Sequence, residues 1–156
     1  MMMRRLQFMF LCLLLACGSL AYAREQSTKG TSDEGYSYTI QVPNETLYVY
    51  PTVKPAPGSD VAERYPASTP VTVRVADAQG NPVNGVSVKF MVKPDSMLQG
   101  MLAISPQDAM TKDGEVQATI QPSDSATTGE GHVIVQVGNK TEEIPLTLQE
   151  APMLPN

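Results

Sequence analysis

The sequence predicts an all-β sandwich of seven to eight antiparallel strands. Apolar and polar residues alternate in several short runs, which is the period of a strand with one buried face. Turn-forming residues separate these runs, and the chain holds 13 Pro and 11 Gly. No stretch sustains helical periodicity. With 156 residues, 42% of them hydrophobic, the chain can fill one core between two sheets.

The first strands come from the segments 36–42 and 47–53, which are interrupted by Pro43. The next strand is 71–75, VTVRV, in which three valines face one way and two polar residues face the other. Residues 77–85 then turn the corner, because Gly and Asn tolerate positive φ and proline fixes its own φ. Val83 interrupts this polar corner, and we expect it to plug the end of the sandwich.

The remaining strands follow the same alternation. We predict strands at 86–92, 116–120, 133–137 and 144–148, with a weaker candidate at 100–104. Turn residues at 112–114 come before the strand 116–120, and turn residues at 138–139 separate 133–137 from 144–148. Pro145 lies inside the last strand and lacks an N–H group, so we expect it at a sheet edge or a bulge.

The corner and the strand after it, DAQGNPVNGVSVKF from Asp77 to Phe90, resemble a motif of bacterial immunoglobulin-like domains of the invasin and intimin type (Big-1). In that family, D-x-x-G-x-P-V-x-G-V-x-V-x-F joins the second and third strands. Thr111–Ala118 is similar to the family's T-x-x-G-x-A segment, although Val116 stands where Ala is usual, and Gly129–Val137 is similar to its G-x-x-x-V-x-A strand. The resemblance covers Leu47 to Leu148 and implies a single immunoglobulin-like domain of a surface protein. Without a Cys pair or Trp in this region, antibody-type core chemistry is excluded.

The N-terminus has the pattern of an export signal at residues 1–23. Arg4 and Arg5 precede an apolar run from Leu6 to Ala16, which is too short to span a bilayer as a helix. Two processing sites follow, and the sequence does not choose between them. Leu14–Cys17 resembles a bacterial lipobox, which implies a lipid on Cys17, whereas Ala21-Tyr22-Ala23 is a cleavage site that would release a chain beginning at Arg24.

The rest of the chain divides into three parts. Residues 24–35 contain no large apolar side chain and predict a flexible linker, residues 36–150 form the predicted immunoglobulin-like domain, and residues 151–156 are a short tail. Both cysteines, Cys12 and Cys17, lie in the export segment, so the domain has no disulfide and no thiolate metal site. The net charge is −5 and no Lys/Arg cluster occurs, which argues against nucleic acid as a partner.

No motif for catalysis or for a cofactor is present, and we predict that the protein is not an enzyme. His132 is the only histidine, and we expect it at the surface where a strand begins. Met91, Met97, Met101 and Met110 fall in one third of the exported chain, and thioethers favour Cu(I). We expect these methionines to fill gaps in the core, with Met97 and Met101 as the copper candidates otherwise. Asp108, Asp113 and Asp124 lack the spacing of a calcium loop, so no metal site is predicted.

Tyr48 and Tyr50 are the candidate interaction residues. They alternate with Leu47 and Val49, so they would form an aromatic patch if they face outward and the segment 54–70 does not cover them. We therefore expect an exported, non-catalytic module of the bacterial envelope or surface that binds another envelope protein or a surface polymer. The alternative is a periplasmic protein that binds copper or a small ligand through its methionine-bearing region.

Overall fold

The computed structural model describes residues 26–51 and 53–153. Within these residues the chain forms ten β-strands and one short helix. They are, in chain order, β1 (Gln26–Thr31), β2 (Ser37–Val42), β3 (Thr46–Val49), α1 (Asp60–Arg64), β4 (Thr69–Ala76), β5 (Ser87–Val92), β6 (Leu102–Ser105), β7 (Asp108–Met110), β8 (Glu115–Pro122), β9 (Gly129–Val137) and β10 (Lys140–Glu150). No helix in this part of the chain is long and apolar enough to span a membrane.

The strands form two sheets that pack face to face. Sheet A has the order β1-β2-β4-β8-β6, and sheet B has the order β3-β10-β9-β5-β7. The strands β2, β4, β8 and β6 opposite β5, β9 and β10 have the four-plus-three arrangement of an immunoglobulin sandwich. The predicted fold class is confirmed.

Two details of the predicted sandwich are wrong. The described residues contain ten strands instead of seven or eight, because β1 and β7 carry too few apolar residues to give an alternating signal. The pairing is also not wholly antiparallel, since β3 runs parallel to β10 with Thr46 opposite Thr147. The chain crosses from sheet A to sheet B between β2 and β3, so β3 keeps the direction of β2 and meets β10 in parallel.

The core lies between the inner faces of the two sheets. Every second residue of β4 and of β9 points inward, and the valines at 71, 73, 133, 135 and 137 are fully buried or nearly so. Phe90 on β5 is the largest fully buried side chain of the described residues and is 2% exposed. Complete burial of such a side chain stabilises the fold by about 1.5–3 kcal/mol. The alternation seen in the sequence is therefore the inward and outward alternation of the sandwich.

The boundaries of the domain differ from the prediction at both ends. The linker predicted over residues 24–35 is wrong for residues 26–31, which form β1 and pair with β2 along its whole length. The tail predicted at 151–156 begins inside the fold, because Ala151 is 4% exposed and its N–H donates to the carbonyl oxygen of Val49 at 2.9 Å. Pro145 meets only β9, since β3 pairs with β10 from Thr147 onward, so its predicted edge position is confirmed.

The predicted corner at 77–85 closes one end of the sandwich. The carboxylate of Asp77 accepts the N–H groups of Gln79 at 2.9 Å and Asn81 at 2.8 Å. The bonds from Asn81 hold the pKa of Asp77 below its ordinary value. Val83 packs against the core and its N–H donates to the carbonyl oxygen of Val75 at 3.0 Å. Val83 therefore plugs the sandwich end as expected.

The turn between β7 and β8 forms hydrogen bonds to this corner and holds it in place. Buried Thr111 accepts the N–H of Val86 at 2.9 Å through Oγ1 and donates the same hydroxyl to the carbonyl oxygen of Val83 at 2.8 Å. Gly114 receives the N–H of Val75 at 2.8 Å on its carbonyl oxygen and donates its own N–H to Oδ1 of Asn84 at 3.1 Å. The two motif segments, 77–90 and 111–118, are distant in sequence but are thus joined by specific hydrogen bonds.

A second connection joins the two sheets beside β10. Tyr38 of β2 is 3% exposed, and its hydroxyl donates to Oε1 of Glu142 in β10 at 2.7 Å. Burial, followed by the bond to Glu142, raises the pKa of Tyr38 to about 12. The hydroxyl therefore stays protonated as a donor at neutral pH, and it ties sheet A to sheet B through an otherwise apolar layer.

We predict that Gly114→Ala destabilises the domain much more than Gly80→Ala. Both glycines have positive φ, +72° and +85°, so an added Cβ strains either position by about 1–2 kcal/mol. A Cβ on Gly114 would also lie 2.5 Å from Cβ of Pro82 and 2.8 Å from the carbonyl oxygen of Val75, whereas nothing lies within 4 Å at Gly80. The overlap adds about 1–3 kcal/mol. Urea denaturation measures both losses, and equal losses would contradict the interlocked corner.

Candidate interaction surface

A long connection between β3 and β4 forms a strap beside the edge of sheet B, and the structure describes its residues 50–51 and 53–66. Both of its ends are tied together. The N–H of Tyr48 donates to the carbonyl oxygen of Pro66 at 2.8 Å, and the hydroxyl of Tyr50 donates to the carbonyl oxygen of Tyr65 at 2.6 Å. A surface loop whose ends meet in this way is an Ω-loop, a class that frequently carries function.

Three tyrosines anchor the strap. The rings of Tyr48 and Tyr65 meet edge to face, with centroids 5.1 Å apart and planes at 78°, a favourable arrangement for aromatic rings. Burial raises the pKa of the Tyr50 hydroxyl, and the neighbouring Tyr48 and Tyr65 add to the effect. Tyr50 therefore remains a neutral donor to the strap over the whole physiological range of pH.

The aromatic patch at Tyr48 and Tyr50 depended on rings that the segment 54–70 leaves uncovered, and binding through these two residues stays a prediction. Both side chains are half-buried against the strap instead of forming an open surface. The covering segment considered as the alternative is the arrangement found. Their role is to position the strap, so the surface available to a partner is the strap itself.

A single helical turn stiffens the second half of the strap. Ser59 caps α1, with its Oγ accepting the N–H of Ala62 at 3.2 Å and its carbonyl oxygen accepting the N–H of Glu63 at 3.0 Å. The turn ends where the N–H of Tyr65 donates to the carbonyl oxygen of Val61 at 2.8 Å. The cap explains why a five-residue helix forms in a segment that shows no helical periodicity.

The first half of the strap presents apolar groups to solvent. Val53 is 81% exposed, and Pro51 and Pro57 on either side of it are exposed as well. Proline restricts the backbone in the free state, so such a segment loses less conformational entropy when a partner orders it. The sequence offered one signal for this surface, namely the proline-rich length between two strands.

Two surface clefts flank the strap. A cleft of about 480 Å³ lies between the strap and sheet A, with Lys54, Glu63 and Gln121 in its wall. A smaller cleft of about 280 Å³ lies where Pro51 approaches the turn between β8 and β9, and Thr127 and Glu150 line it. The strap therefore forms a ridge between two clefts. A partner that binds the strap can also occupy the cleft on either side of it.

A further cleft lies on the opposite side of the sandwich. It occupies about 530 Å³ between β5 and β6, and Met91, Leu102 and Ile104 are among its lining residues. It opens here because β7 pairs only with Ser87 to Lys89 of β5, and the bond from the N–H of Phe90 to the carbonyl oxygen of Gln107 at 2.7 Å extends this cover by one residue. This seam is an exposed sheet edge of the kind expected to carry contacts.

Two of the four methionines lie in the loop between β5 and β6, and the other two lie on β5 and β7. Met101 packs against the core, and its sulfur accepts the hydroxyl of Thr127 at 3.8 Å. Met97 is 67% exposed in the loop between β5 and β6, while Met91 lies on β5 and Met110 on β7. Met101 packs against the core as expected, but that expectation is wrong for the exposed Met91, Met97 and Met110. The copper assignment to Met97 and Met101 stays a prediction.

The other polar candidates are spread over the domain. His132 lies near the start of β9, on the sheet face that also carries Glu143. Asp108 is in β7, Asp113 is in the turn before β8, and Asp124 is in the loop after β8. In the described segments no group of three or more His, Cys, Asp or Glu side chains could hold a metal ion. The export signal and Cys17 lie outside these segments.

Comparison with known proteins gives only distant likenesses. No protein-family model matches the chain, and no curated protein matches it. Among solved structures, domains 4 and 5 of the S-layer protein SbsC match at 11% identity with a TM-score of 0.43, over 78% of this chain and 75% of that one. Domains 1–6 of the surface layer protein SbsC match at 10% identity with a TM-score of 0.46, and this chain spans 21% of their length. Likenesses of this size say nothing about what the chain does.

We predict that Tyr50→Phe weakens the domain while Tyr48→Phe has little effect. Tyr50→Phe removes the hydroxyl that joins the two ends of the strap, a loss of about 1 kcal/mol for one hydrogen bond. Tyr48 contributes its ring and its backbone N–H to the strap, and Tyr48→Phe preserves both. Urea denaturation compares the two variants. An unchanged unfolding free energy for Tyr50→Phe would show that its hydroxyl does not tie the strap.

Proposed function

We propose that this chain is an exported, non-catalytic immunoglobulin-like module of the bacterial cell envelope or surface, and that it binds another envelope protein or a surface polymer through the strap at residues 50–66. The strap carries the proposal. It is a long connection that passes from β3 in sheet B to β4 in sheet A over the surface, and binding residues are often found on surface loops positioned by a rigid scaffold. Three tyrosines hold it in place while Val53 faces solvent.

Contacts within the fold support the Big-1 type as the family of this module. The segments that resemble the family motif, 77–90 and 111–118, bond directly to each other through Thr111 and Gly114. The motif therefore corresponds to one structural unit that closes the sandwich end. A family of surface proteins and an N-terminal export signal both support a site of action outside the cytoplasm.

The proposed role also fits the path of the chain. β1 runs from the level of Val42 towards the interlocked corner, and β10 runs away from that corner to Glu150. The chain thus enters and leaves the fold on the same side. A domain of this kind suits a projecting module better than a link in a linear array, in which entry and exit lie at opposite ends.

Photo-crosslinking in intact cells tests the proposal. A photoreactive residue replaces Val53 in the strap or, as the control, exposed Thr119 on the outer face of sheet A. We expect a defined adduct from position 53 and none from position 119. A protein partner gives a discrete heavier band, and a polymer gives material that a glycan hydrolase removes.

The same experiment can refute the strap as the binding surface. Equal adducts from positions 53 and 119 would show non-specific proximity, and no adduct from position 53 would show that the strap meets no partner in the envelope. Fractionation of the same cells checks the compartment, because the proposal requires the chain outside the cytoplasm.

A further inference from the structure

Strand β1 belongs to sheet A but adds no apolar side chain to the core. Its residues Gln26, Thr28 and Gly30 lie opposite Val42, Ile40 and Tyr38 of β2, so they share the inward face with buried residues. Each of these three positions on β1 is nevertheless polar or lacks a side chain. The Oε1 atom of Gln26 is buried and has no hydrogen-bond partner among the described residues, which costs stability. Hydrophobic burial therefore does not hold β1 in place.

Backbone bonds and the turn at 32–35 are what retain β1. The N–H of Ser32 donates to the carbonyl oxygen of Tyr36 at 2.9 Å and continues the ladder into the turn. Asp33 then reaches the turn between β9 and β10, where it meets Nζ of Lys140 at 2.7 Å and Nδ2 of Asn139 at 3.1 Å. These last contacts are exposed to solvent, and such pairs contribute little to stability.

The edge of β2 that pairs with β1 nonetheless accepts only a strand with a particular residue at one position. We call this edge of β2, residues 37–42, the seat. The ring of Tyr38 passes under Gly30 on its way to Glu142, and a Cβ on Gly30 would overlap that ring. A strand placed here must therefore carry glycine at this point. β2 itself also pairs with β4, and that pairing does not involve β1. The seat thus combines an acceptor edge that is also bonded to β4 with an occupant that no apolar side chain holds in the core.

We propose that β1 exchanges between two copies of this chain, so that each β2 pairs with the β1 of the other molecule. The occupant is β1 of a second copy because that strand supplies every contact the seat offers, including glycine over Tyr38. The exchange extends the turn at 32–35 into a straight connection and leaves the rest of both sandwiches unchanged. Such swapping costs little, because each backbone bond that breaks within one molecule forms again between the two.

The geometry fixes how the two copies meet. The turn at 32–35 lies at the same end of the sandwich as the interlocked corner, since Ser37 is opposite Ala76. A straightened turn therefore joins the two domains end to end about a two-fold axis, corner against corner. The exchange is independent of the strap at 50–66 and holds whether or not the strap binds a partner.

Engineered disulfides test the exchange. Lys29 and Thr39 lie directly opposite each other on the outer face, and the bond from Ser32 to Tyr36 makes theirs a non-hydrogen-bonded pair, with Cα atoms about 4.5 Å apart, within the range of a disulfide. The variant with Lys29→Cys and Thr39→Cys is made in the chain from Arg24, which holds every described element and no other cysteine. After incubation at rising concentration and oxidation, we expect a covalent dimer on non-reducing gels that grows at least fivefold between dilute and concentrated samples.

The matched control is the variant with Gln136→Cys and Thr141→Cys in the hairpin of β9 and β10. This pair is also directly opposite and on the outer face, but β5 and the core hold both strands in place. We expect only its intramolecular disulfide. A Lys29/Thr39 variant that stays monomeric at every concentration overturns the exchange, and so does a dimer that forms equally in the control.

Size measurements on chains without engineered cysteines test the exchange independently of the disulfides. Light scattering at increasing concentration should show a dimer fraction that falls in Gly30→Ala, because a Cβ there obstructs the seat in either molecule. Gly35→Ala lies in the hinge with φ +85° and nothing within 4 Å, so it strains only the closed turn. We expect a higher dimer fraction in Gly35→Ala, and the opposite ranking of these two variants contradicts the exchange.

Discussion

The two sheets are stable only face to face, because each carries a continuous row of apolar side chains that must be kept from water. Valines of β4 and β9 contribute to this layer, and so does the fully buried Phe90 of β5, which lies opposite Val135 of β9. At its two ends the layer would be open to water. The residues that close an end must also hydrogen-bond the backbone groups that they bury. Thr111 and Gly114 meet this need at one end, where they bond to Val75, Val83, Asn84 and Val86. The strap, the seam and the exchangeable strand are all arranged around this closed layer.

Stability is distributed unevenly around the layer, and that distribution decides where function can lie. Strands with two neighbours and an apolar inner face, such as β4, β8 and β9, form the fixed part of the molecule. The strap rests on the edge strand β3 and is held by tyrosines, so it is ordered without being part of the core. β1 is held by its backbone bonds to β2 and adds no apolar side chain to the core. A rigid core that carries less firmly held loops and edge strands is a common arrangement in a domain that binds partners.

The sequence was sufficient for the strands that bury one face. Alternation identifies β4, β5, β8, β9 and β10, because a buried face leaves a period of two in the side chains. Turn chemistry identified the corner at 77–85, since Asp77, Gly80 and Pro82 each impose a local geometry. β1 escaped detection because it pairs through its backbone and buries no apolar residue. The parallel pairing of β3 with β10 was equally hidden, because residues a hundred positions apart leave no local signal. The tyrosines at 48 and 50 were identified as candidates, but only their contacts with residues 65 and 66 show that they support a strap.

Residue-resolved hydrogen exchange tests the central claim, that the corner closes the core as part of one cooperative layer. The N–H groups of Val75, Val83 and Val86 bond to Gly114, Val75 and Thr111 at the corner. If the corner is part of that layer, these three amides exchange only through global unfolding. They then exchange as slowly as the amides of Val73 and Val135 in the centre of the sheets. Exchange of the three corner amides at the rate of an exposed loop, while the central amides stay protected, would show that the corner is separate from the core and would contradict the account.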